Sequence, residues 1–372
     1  MTSFLDLKRE FRLHTEIYSA NSFKEALDGL KISRTDIIIT NKFIIEKADF
    51  KDALVIDLDN YGKGEPKDTW VNEILKVTNA YEADRVIAIG GGATIDIAKF
   101  CTFADKRDVD GLFENKNDLK KKRELIIMPT TCGTGSEVTS VAVIERSRLA
   151  SKQGLQLDEM FPDIAILVDD LLSTLPLRTF YVTSIDALSH AIESLLSPKA
   201  NRYTDVFAKE AIHIIVKALM EANTSKRLPK DMGASLIGAS MAGIAFSIAG
   251  CATMHALSFP IGAKFHLVHG EAVYSVMAMT LRYYEEKGID ISKLTDTLKD
   301  VFEVDKASAL KELLEVLETA IKRPDLKAMG MTEDDAKWMG ESVYENQQRL
   351  LVNSPVVLNS KDLTEIYKNC LN

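Results

Sequence analysis

The sequence predicts an α/β domain with a mostly parallel sheet, followed by an all-α domain. In the first half of the chain, short β-branched runs alternate with amphipathic helical stretches. From about residue 179 onward, strand signals disappear and helical periodicity dominates. Apolar strands that alternate with helices are typical of a parallel sheet covered on both faces. We therefore expect an α/β domain over residues 1–178 and a helical domain over residues 179–372.

The individual elements follow from local patterns. Apolar, β-branched runs predict strands at TDIIIT (35–40), DALVIDL (52–58), DRVIAIG (84–90), ELIIMPTT (124–131) and IAILVDD (164–170). Amphipathic stretches between these strands predict helices over 68–83 and 94–104. In the second half, the apolar period predicts helices over 183–196, 203–222, 232–249, 269–286, 307–321 and 332–350.

The composition indicates a soluble globular protein. Of the 372 residues, 46% are hydrophobic and 27% are charged, and a chain of this length suggests two domains. The net charge of −9 leaves no basic stripe for a nucleic-acid backbone, so we expect no nucleic-acid partner. The four cysteines are scattered, and the first residues carry no apolar export signal. These features predict a cytoplasmic protein.

One apolar segment, residues 232–250, is about as long as a membrane span. It is rich in glycine, alanine and serine, and Lys230 and Asp231 come directly before it. Small residues of this kind favour a helix that is buried in a bundle. We therefore expect no membrane association.

Two loops at strand ends have the composition of a phosphate-binding site. Gly90–Gly92 close a predicted strand and lead into a helix, whose N-terminus attracts anions. A tight βα turn explains this motif equally well when it is taken alone. The second loop, 129–140, is dense in small hydrogen-bond donors, among them Thr130, Thr131 and Thr134. Two such loops at one sheet edge predict a nucleotide site.

An aspartate and three histidines are candidates for a metal site. Asp186 and His190 are four residues apart, so they share one face of a helix. His255 and His269 are separated by a segment that Pro260 interrupts, which places them on different elements. One carboxylate and three imidazoles suit Fe²⁺ or Zn²⁺. A hydrogen-bonded core residue is the alternative interpretation of any single histidine.

Four motifs resemble those of the iron-dependent alcohol dehydrogenase family, and the likeness extends over nearly the whole chain. The motifs are GGGATIDIAK (90–99), PTTCGTGSEVT (129–139), DALSHAIES (186–194) and HALSFPIGAKFHLVHGEA (255–272). The resemblance implies a dinucleotide-binding domain over 1–178 and a helical, metal-binding domain over 179–372, an architecture shared with dehydroquinate synthases. It also implies a homodimer and a divalent metal, usually iron, bound by Asp186, His190, His255 and His269.

The resemblance also implies the cofactor contacts. We expect NAD to be bound by Gly91, Gly92, Ala93, Thr130, Thr131 and Thr134. Lys152 resembles a family lysine near the nicotinamide ribose; a solvated surface charge is the alternative. Many family members have an aspartate that excludes the 2′-phosphate of NADP where this chain has Asn41. An uncharged residue repels a phosphate less, so NADP is not excluded.

Within the family, the likeness is greatest to 4-hydroxybutyrate dehydrogenases, which share the C-terminal QQRLLVN (347–353). This implies the interconversion of 4-hydroxybutyrate and succinate semialdehyde with NAD(H). The alternative within the family is a dehydrogenase for a neutral primary alcohol or a diol such as 1,3-propanediol. Two further alternatives are a non-catalytic nucleotide- or metal-binding protein and a cyclising synthase on a similar scaffold.

Three residues are candidates for substrate chemistry. The carboxylate of a hydroxy-acid substrate needs a cation when it is buried in the site. Arg349 is the first candidate, because its guanidinium binds carboxylates in a bidentate way, and Lys264 is the second. Either residue could instead be a solvated charge. Many family members also carry a histidine where this chain has Phe259. His266 is therefore the candidate for proton handling.

Overall fold

The computed structural model describes residues 9–62, 64–149 and 151–371. Its strands are β1 Glu16–Ala20, β2 Asp36–Thr40, β3 Leu54–Asp57, β4 Arg85–Gly90, β5 Glu124–Pro129, β6 Val141–Arg146, β7 Ser151–Gln156 and β8 Ile164–Val168. Six of them form one parallel sheet in the order β1-β8-β5-β4-β2-β3. The remaining two, β6 and β7, form an antiparallel hairpin. The predicted fold class is confirmed.

Side chains along each strand alternate between two apolar layers, because the side-chain period of a strand is two residues. Ile37 and Ile39 of β2 belong to the core on one face of the sheet, whereas Ile38 belongs to the core on the other. Every residue of β2 is buried as a result. A strand covered on both faces is a continuous apolar run, which is why the sequence predicts it well.

The described residues of the first half also form five α-helices: α1 Phe23–Leu30, α2 Lys42–Ile45, α3 Asp68–Asn79, α4 Gly92–Cys101 and α5 Val109–Glu114. All five predicted strands and both predicted helices are confirmed, with ends that differ by a few residues. The sequence patterns did not predict β1 or the hairpin. β1 is an edge strand that is mostly exposed, and β7 is the polar run SKQGLQ, so neither carries an apolar signal.

The second half is helical, and residues 177–371, all of which are described, contain no strand. Its helices are α6 Leu177–Leu196, α7 Arg202–Ser225, α8 Met232–Ala249, α9 Thr253–Phe265, α10 His269–Glu286, α11 Ser292–Phe302, α12 Lys306–Ala320, α13 Glu333–Asn346, α14 Gln348–Leu351 and α15 Ser360–Asn369. The six predicted helices are confirmed, although the one predicted over 332–350 is divided at Gln347.

One prediction about this half was wrong. Pro260 does not interrupt the helix, because α9 continues through it to Phe265. Proline removes one backbone donor but still adopts a helical φ, so packing on both sides can hold the helix together. His255 and His269 nevertheless lie on different helices, α9 and α10, as expected.

The apolar segment that resembled a membrane span is α8. Of the described helices, α8 alone is long and apolar enough to cross a bilayer, but 61% of it is buried inside the fold. It packs against α6 and α7 and also contacts β8. These contacts support the prediction of a core helix.

The helical half shares an apolar core with one face of the sheet. Ile87 and Met128 of the sheet belong to the same buried cluster as Ile185 and Leu188 of α6. The change from sheet to helices falls between β8 and α6. A domain boundary at 178 and 179 stays a prediction, since the core is continuous across it.

Candidate metal centre and cofactor cleft

A cleft of 360 Å³ lies between the carboxyl edge of the sheet and the helical half. Ala93 and Thr134 line it from the first half of the chain, and His190, His255 and Arg349 line it from the second. Open α/β sheets bind ligands at this edge because strand ends and helix N-termini meet there. The two loops and the histidines singled out in the sequence therefore face one space.

Three helices bring the predicted metal ligands together. Asp186 and His190 lie one turn apart on α6, His255 lies near the start of α9, and α10 begins at His269. Oδ1 of Asp186 is 3.8 Å from Nε2 of His255 and 3.6 Å from Nε2 of His269. The His190 and His255 rings stack with their centroids 4.5 Å apart. Atoms bound about 2.1 Å from one ion lie within about 4.2 Å of each other, so these distances suit a shared metal.

Several of these ligand atoms have no partner in the fold. Among the described residues, Oδ1 of Asp186, Nδ1 of His190 and Nε2 of His255 are buried without a hydrogen bond. A buried polar atom without a partner costs about 1–3 kcal/mol, and a bound cation removes that cost. The donor set of one oxygen and three imidazoles fits a divalent metal such as Fe²⁺ or Zn²⁺.

The protonation states of two of the histidines also suit a metal, because a ligand must be free of its proton. Burial, followed by the neighbouring His255, lowers the pKa of His190 well below its ordinary value. Burial and His255 act in the same way on the pKa of His269. Burial raises the pKa of Asp186 to about 6, which the positive charge of a metal would reverse.

Glu193 orients one of the ligands and was not predicted. Its carboxylate oxygens accept hydrogen bonds from the backbone N–H of Ala252 at 2.8 Å and from that of Met254 at 2.5 Å. The same carboxylate lies 2.6 Å from Nδ1 of His255. Burial opposes a charge on His255, yet the carboxylates of Glu193 and Asp186 together outweigh burial and raise the pKa of the imidazole. The contact at Nδ1 leaves Nε2 of His255 free to face the cleft.

A signal for Glu193 was present in the motif DALSHAIES. Asp186, His190 and Glu193 are spaced at i, i+4 and i+7, which places all three on one face of α6. An acidic residue on the face of a helix that carries ligands is a candidate partner for a neighbouring imidazole.

Aromatic rings form the walls beside the ligands. Phe246 stacks on His190 with the ring centroids 4.4 Å apart, and the Phe259 ring lies 6.1 Å from that of His269. Both phenylalanines line the cleft. Phe259 therefore brings no ionisable group to this side of the cleft.

The two phosphate-type loops contact each other. A Cβ atom at Gly92 would lie 2.7 Å from the Thr134 methyl group, and one at Gly91 would lie 3.4 Å from that of Thr131. Gly91 is the N-cap of α4, so the first free N–H groups of that helix point to this junction. Ala93 and Thr134 line the cleft, while Thr130 is buried behind them, its N–H bonded to Gly90 O at 3.1 Å.

Asn41 has an acidic neighbour that the sequence patterns did not reveal. It follows β2 directly, and its side-chain amide donates a 3.2 Å hydrogen bond to Oδ1 of Asp59. Thr94 of α4 donates a 3.4 Å hydrogen bond to the amide oxygen of Asn41. Asp59 therefore brings a carboxylate to a position beside the first loop where the sequence alone suggests a neutral side chain.

Lys152 on β7 is a partly buried cleft residue rather than a solvated charge. Its side chain is 13% exposed, and Nζ lies 2.6 Å from the carboxylate of Glu65. Both residues line the cleft. A Cβ atom at Gly262 of α9 would lie 3.5 Å from Nζ, so this lysine reaches from the first half of the chain to the helical half.

Arg349 reaches the cleft, as predicted, but Lys264 and His266 do not line it. Lys264 is paired with Asp335 of α13, and His266 is an exposed residue in the left-handed conformation that ends α9. The continuous α9 explains this outcome. Nine residues at about 100° each turn Lys264 to the opposite side of the helix from His255. The expected roles for these two residues are therefore not supported.

Comparisons with known proteins agree with this site. Residues 12–169 match the family described as iron-containing alcohol dehydrogenase, and residues 180–371 match the C-terminal part of the Fe-containing alcohol dehydrogenase family. The chain is 38% identical over 367 residues to 4-hydroxybutyrate dehydrogenase of Clostridium kluyveri, covering 96% of this chain and 98% of that protein.

Two solved structures share the fold. One is sulfoacetaldehyde reductase from Bifidobacterium kashiwanohense in complex with NAD⁺, with a TM-score of 0.83, 23% identity, and coverage of 97% of this chain and 98% of that one. The other is a 1,3-propanediol oxidoreductase, with a TM-score of 0.82, 20% identity, and coverage of 97% and 99%. With family matches that span both halves of the cleft, the chain is an oxidoreductase of the iron-containing alcohol dehydrogenase family.

Proposed function

We propose that the protein interconverts 4-hydroxybutyrate and succinate semialdehyde, with NAD as the hydride acceptor. The reaction converts 4-hydroxybutyrate and NAD⁺ into succinate semialdehyde, NADH and a proton. The likeness to the Clostridium kluyveri enzyme supports this substrate, since it extends over almost the full length of both chains. The distribution of charge in the cleft supports it independently.

The observation that carries the proposal is the unpaired guanidinium of Arg349. This arginine lies on α14 and lines the same cleft as the metal ligands. No hydrogen bond or ion pair to its guanidinium is found within the described parts of the chain. Desolvation by the surrounding walls lowers its pKa, and an anion placed beside it would relieve that cost. A guanidinium binds a carboxylate in a bidentate way.

The cleft is therefore built for a molecule with two different ends. Its Asp and His end suits an alcohol or aldehyde oxygen on a metal, and Phe246 and Phe259 offer an apolar wall for methylene groups. Arg349 offers a cation for the far carboxylate. A four-carbon hydroxy acid has this sequence of groups, whereas a neutral alcohol or diol makes no use of the cation.

Asp186, His190, His255 and His269 are the residues that would hold the metal, and the loops at Gly91–Ala93 and Thr130–Thr134 would hold the cofactor phosphates. When bound, the metal supplies a Lewis acid for the substrate oxygen and NAD supplies the hydride acceptor. The chain contributes orientation: Arg349 fixes the far end of the substrate, and the phenylalanines exclude water from its carbon chain. Lys152, paired with Glu65, is the residue that would contact the nicotinamide ribose.

We further propose Fe²⁺ as the metal, with Zn²⁺ as the second choice, and a cytoplasmic homodimer as the assembly. Asp59 beside Asn41 supports NAD over NADP, because a carboxylate repels a 2′-phosphate. Metal analysis after anaerobic purification tests the ion, and light scattering tests the dimer. A ratio of kcat/KM for NADH over NADPH below one would contradict the choice of cofactor.

Arg349→Met tests the substrate. We expect KM for succinate semialdehyde to rise by about 30-fold or more, because charge-assisted hydrogen bonds contribute about 2 kcal/mol or more. The activity on butanal, a neutral aldehyde with the same number of carbons, should stay close to that of the wild type. Arg349→Lys keeps the charge, so its KM for succinate semialdehyde should lie between that of the wild type and that of Arg349→Met. Equal losses on both aldehydes, or a wild-type enzyme that prefers butanal or 1,3-propanediol, would refute the proposal.

A further inference from the structure

We infer that Lys199 is a second cationic contact for the substrate carboxylate, acting together with Arg349. The inference rests on the proposed function and adds a specificity-determining residue that no sequence motif indicates. Lys199 lies in the short connection between α6 and α7 and lines the same cleft as Arg349.

Two other cations near the cleft, both within the described residues, are already neutralised. Lys152 is paired with Glu65, and Lys264 is paired with Asp335 on the outer side of α9. For Lys199, as for Arg349, the described residues supply no acidic partner within ion-pair distance. Two uncompensated positive charges therefore face one space in a protein whose net charge is −9.

Hydrogen bonds tie the backbones that carry both cations to the same short segment, residues 249–251. On one side, the Ser197 hydroxyl donates to Ala249 O at 2.7 Å, and the backbone N–H of Lys199 donates to that hydroxyl oxygen at 3.1 Å. This ties the start of the connection that carries Lys199 to the end of α8.

On the other side of the segment, the side-chain amide of Asn353 donates to Cys251 O at 2.8 Å and to Arg349 O at 3.4 Å. Asn353 also packs on Gly250, where a Cβ atom would lie 2.3 Å from its amide nitrogen. Residues 249–251 therefore connect the two backbone positions that carry the cations, and Lys199, Gly250 and Arg349 all line the cleft.

Lys199 and Arg349 give the cleft two cationic side chains that have no acidic partner among the described residues. A carboxylate is attracted to such cations, so a substrate with one carboxylate has a preferred orientation relative to the metal ligands. The two cations differ in kind: the planar guanidinium fixes geometry, and the mobile ammonium adds charge and contacts the outer oxygen.

Lys199→Met tests the inference, with Lys217→Met as the matched control. Lys217 is an exposed lysine on α7 that does not line the cleft. For Lys199→Met we expect KM for succinate semialdehyde to rise about threefold to fivefold, with kcat within about twofold of the wild type, because an ion pair of an exposed lysine contributes little binding energy. Kinetics on butanal should not change, and Lys199→Arg should restore most of the affinity.

Both variants should fold, since each lysine is exposed. If Lys199→Met binds succinate semialdehyde as tightly as the wild type while Arg349→Met does not, the inference is overturned and the proposed function stands. Equal losses on both aldehydes also overturn it. If the wild type itself shows no preference for succinate semialdehyde over butanal, the proposed function fails and this inference fails with it.

Discussion

At the scale of single residues, Glu193 shows how a buried carboxylate prepares a metal ligand. It accepts two backbone N–H groups at the start of α9 and contacts Nδ1 of His255, so both the helix and the ring are fixed by one side chain. We predict that Glu193→Gln weakens metal binding by about 10- to 100-fold, as is usual for partners of a ligating histidine. Competition with a coloured chelator during titration with Zn²⁺ measures this.

The matched control is Glu210→Gln, which makes the same change at an exposed position on α7. It should bind metal as the wild type does. A Glu193→Gln protein that retains the metal affinity of the wild type would show that Glu193 only supports the fold. The glutamine oxygen can still accept a backbone N–H, so the α9 start should remain formed.

The residues of the site differ in how far the sequence predicts them. Asp186 and His190 are predictable because their spacing fixes a shared helix face, whatever the rest of the chain does. Lys264 and His266 were misplaced because their direction depends on whether α9 continues through Pro260. No sequence pattern around Lys199 indicates a role in the site. Its relation to Arg349 arises from contacts between segments about 150 residues apart.

At the scale of elements, the packing of α8 explains why the fold contains a buried helix with the composition of a membrane span. Gly243 of α8 packs directly on the second loop, where Gly135 has a φ of +60°. A Cβ atom at Gly243 would lie 2.7 Å from a Val138 methyl group and 2.9 Å from Gly135 O. Periodicity cannot identify such a partner, since only the tertiary fold brings the loop and the helix together.

Gly243→Ala tests this contact. The added methyl group has no space, so we predict a loss of about 1–3 kcal/mol in the free energy of unfolding. The KM for NADH should also rise, because the displaced loop carries Thr130, Thr131 and Thr134.

Gly29→Ala is the control: Gly29 lies in α1 with no other atom within 4 Å of a Cβ there. It should leave stability unchanged or slightly higher. Denaturant unfolding measures the stability of both variants. If Gly243→Ala is as stable as Gly29→Ala, the tight contact between Gly243 and the second loop is contradicted.

The apolar strands of the parallel sheet were predicted, whereas the exposed edge strand β1 and the β6–β7 hairpin outside this sheet were missed. β2 and β4 lie inside the sheet and are apolar along their length, so local sequence reports their environment. β1 lies at the edge beside β8, and its exposed residues follow no apolar pattern. Its strand conformation is set by the register with β8, which is a long-range property.

At the scale of the whole molecule, the metal ligands connect three helices of a core that also covers the sheet. Asp186, His255 and His269 belong to α6, α9 and α10, and α6 shares its apolar cluster with strands β4 and β5. A ligand that binds only the folded state stabilises it, by about 2.7 kcal/mol when its concentration is 100 times Kd. We therefore predict that chelation lowers the unfolding temperature of the metal-loaded protein.

Because the core is continuous, the whole transition should move to lower temperature rather than split into two. Calorimetry of the loaded and chelated protein, each at a fixed protein concentration, measures this. His269→Ala is the control, since α10 begins at this partly exposed ligand and its loss leaves an incomplete ligand set. The unfolding temperature of His269→Ala should no longer change on chelation. If the wild type melts at one temperature with and without its metal, or only part of its transition moves, then the ion does not stabilise the shared core.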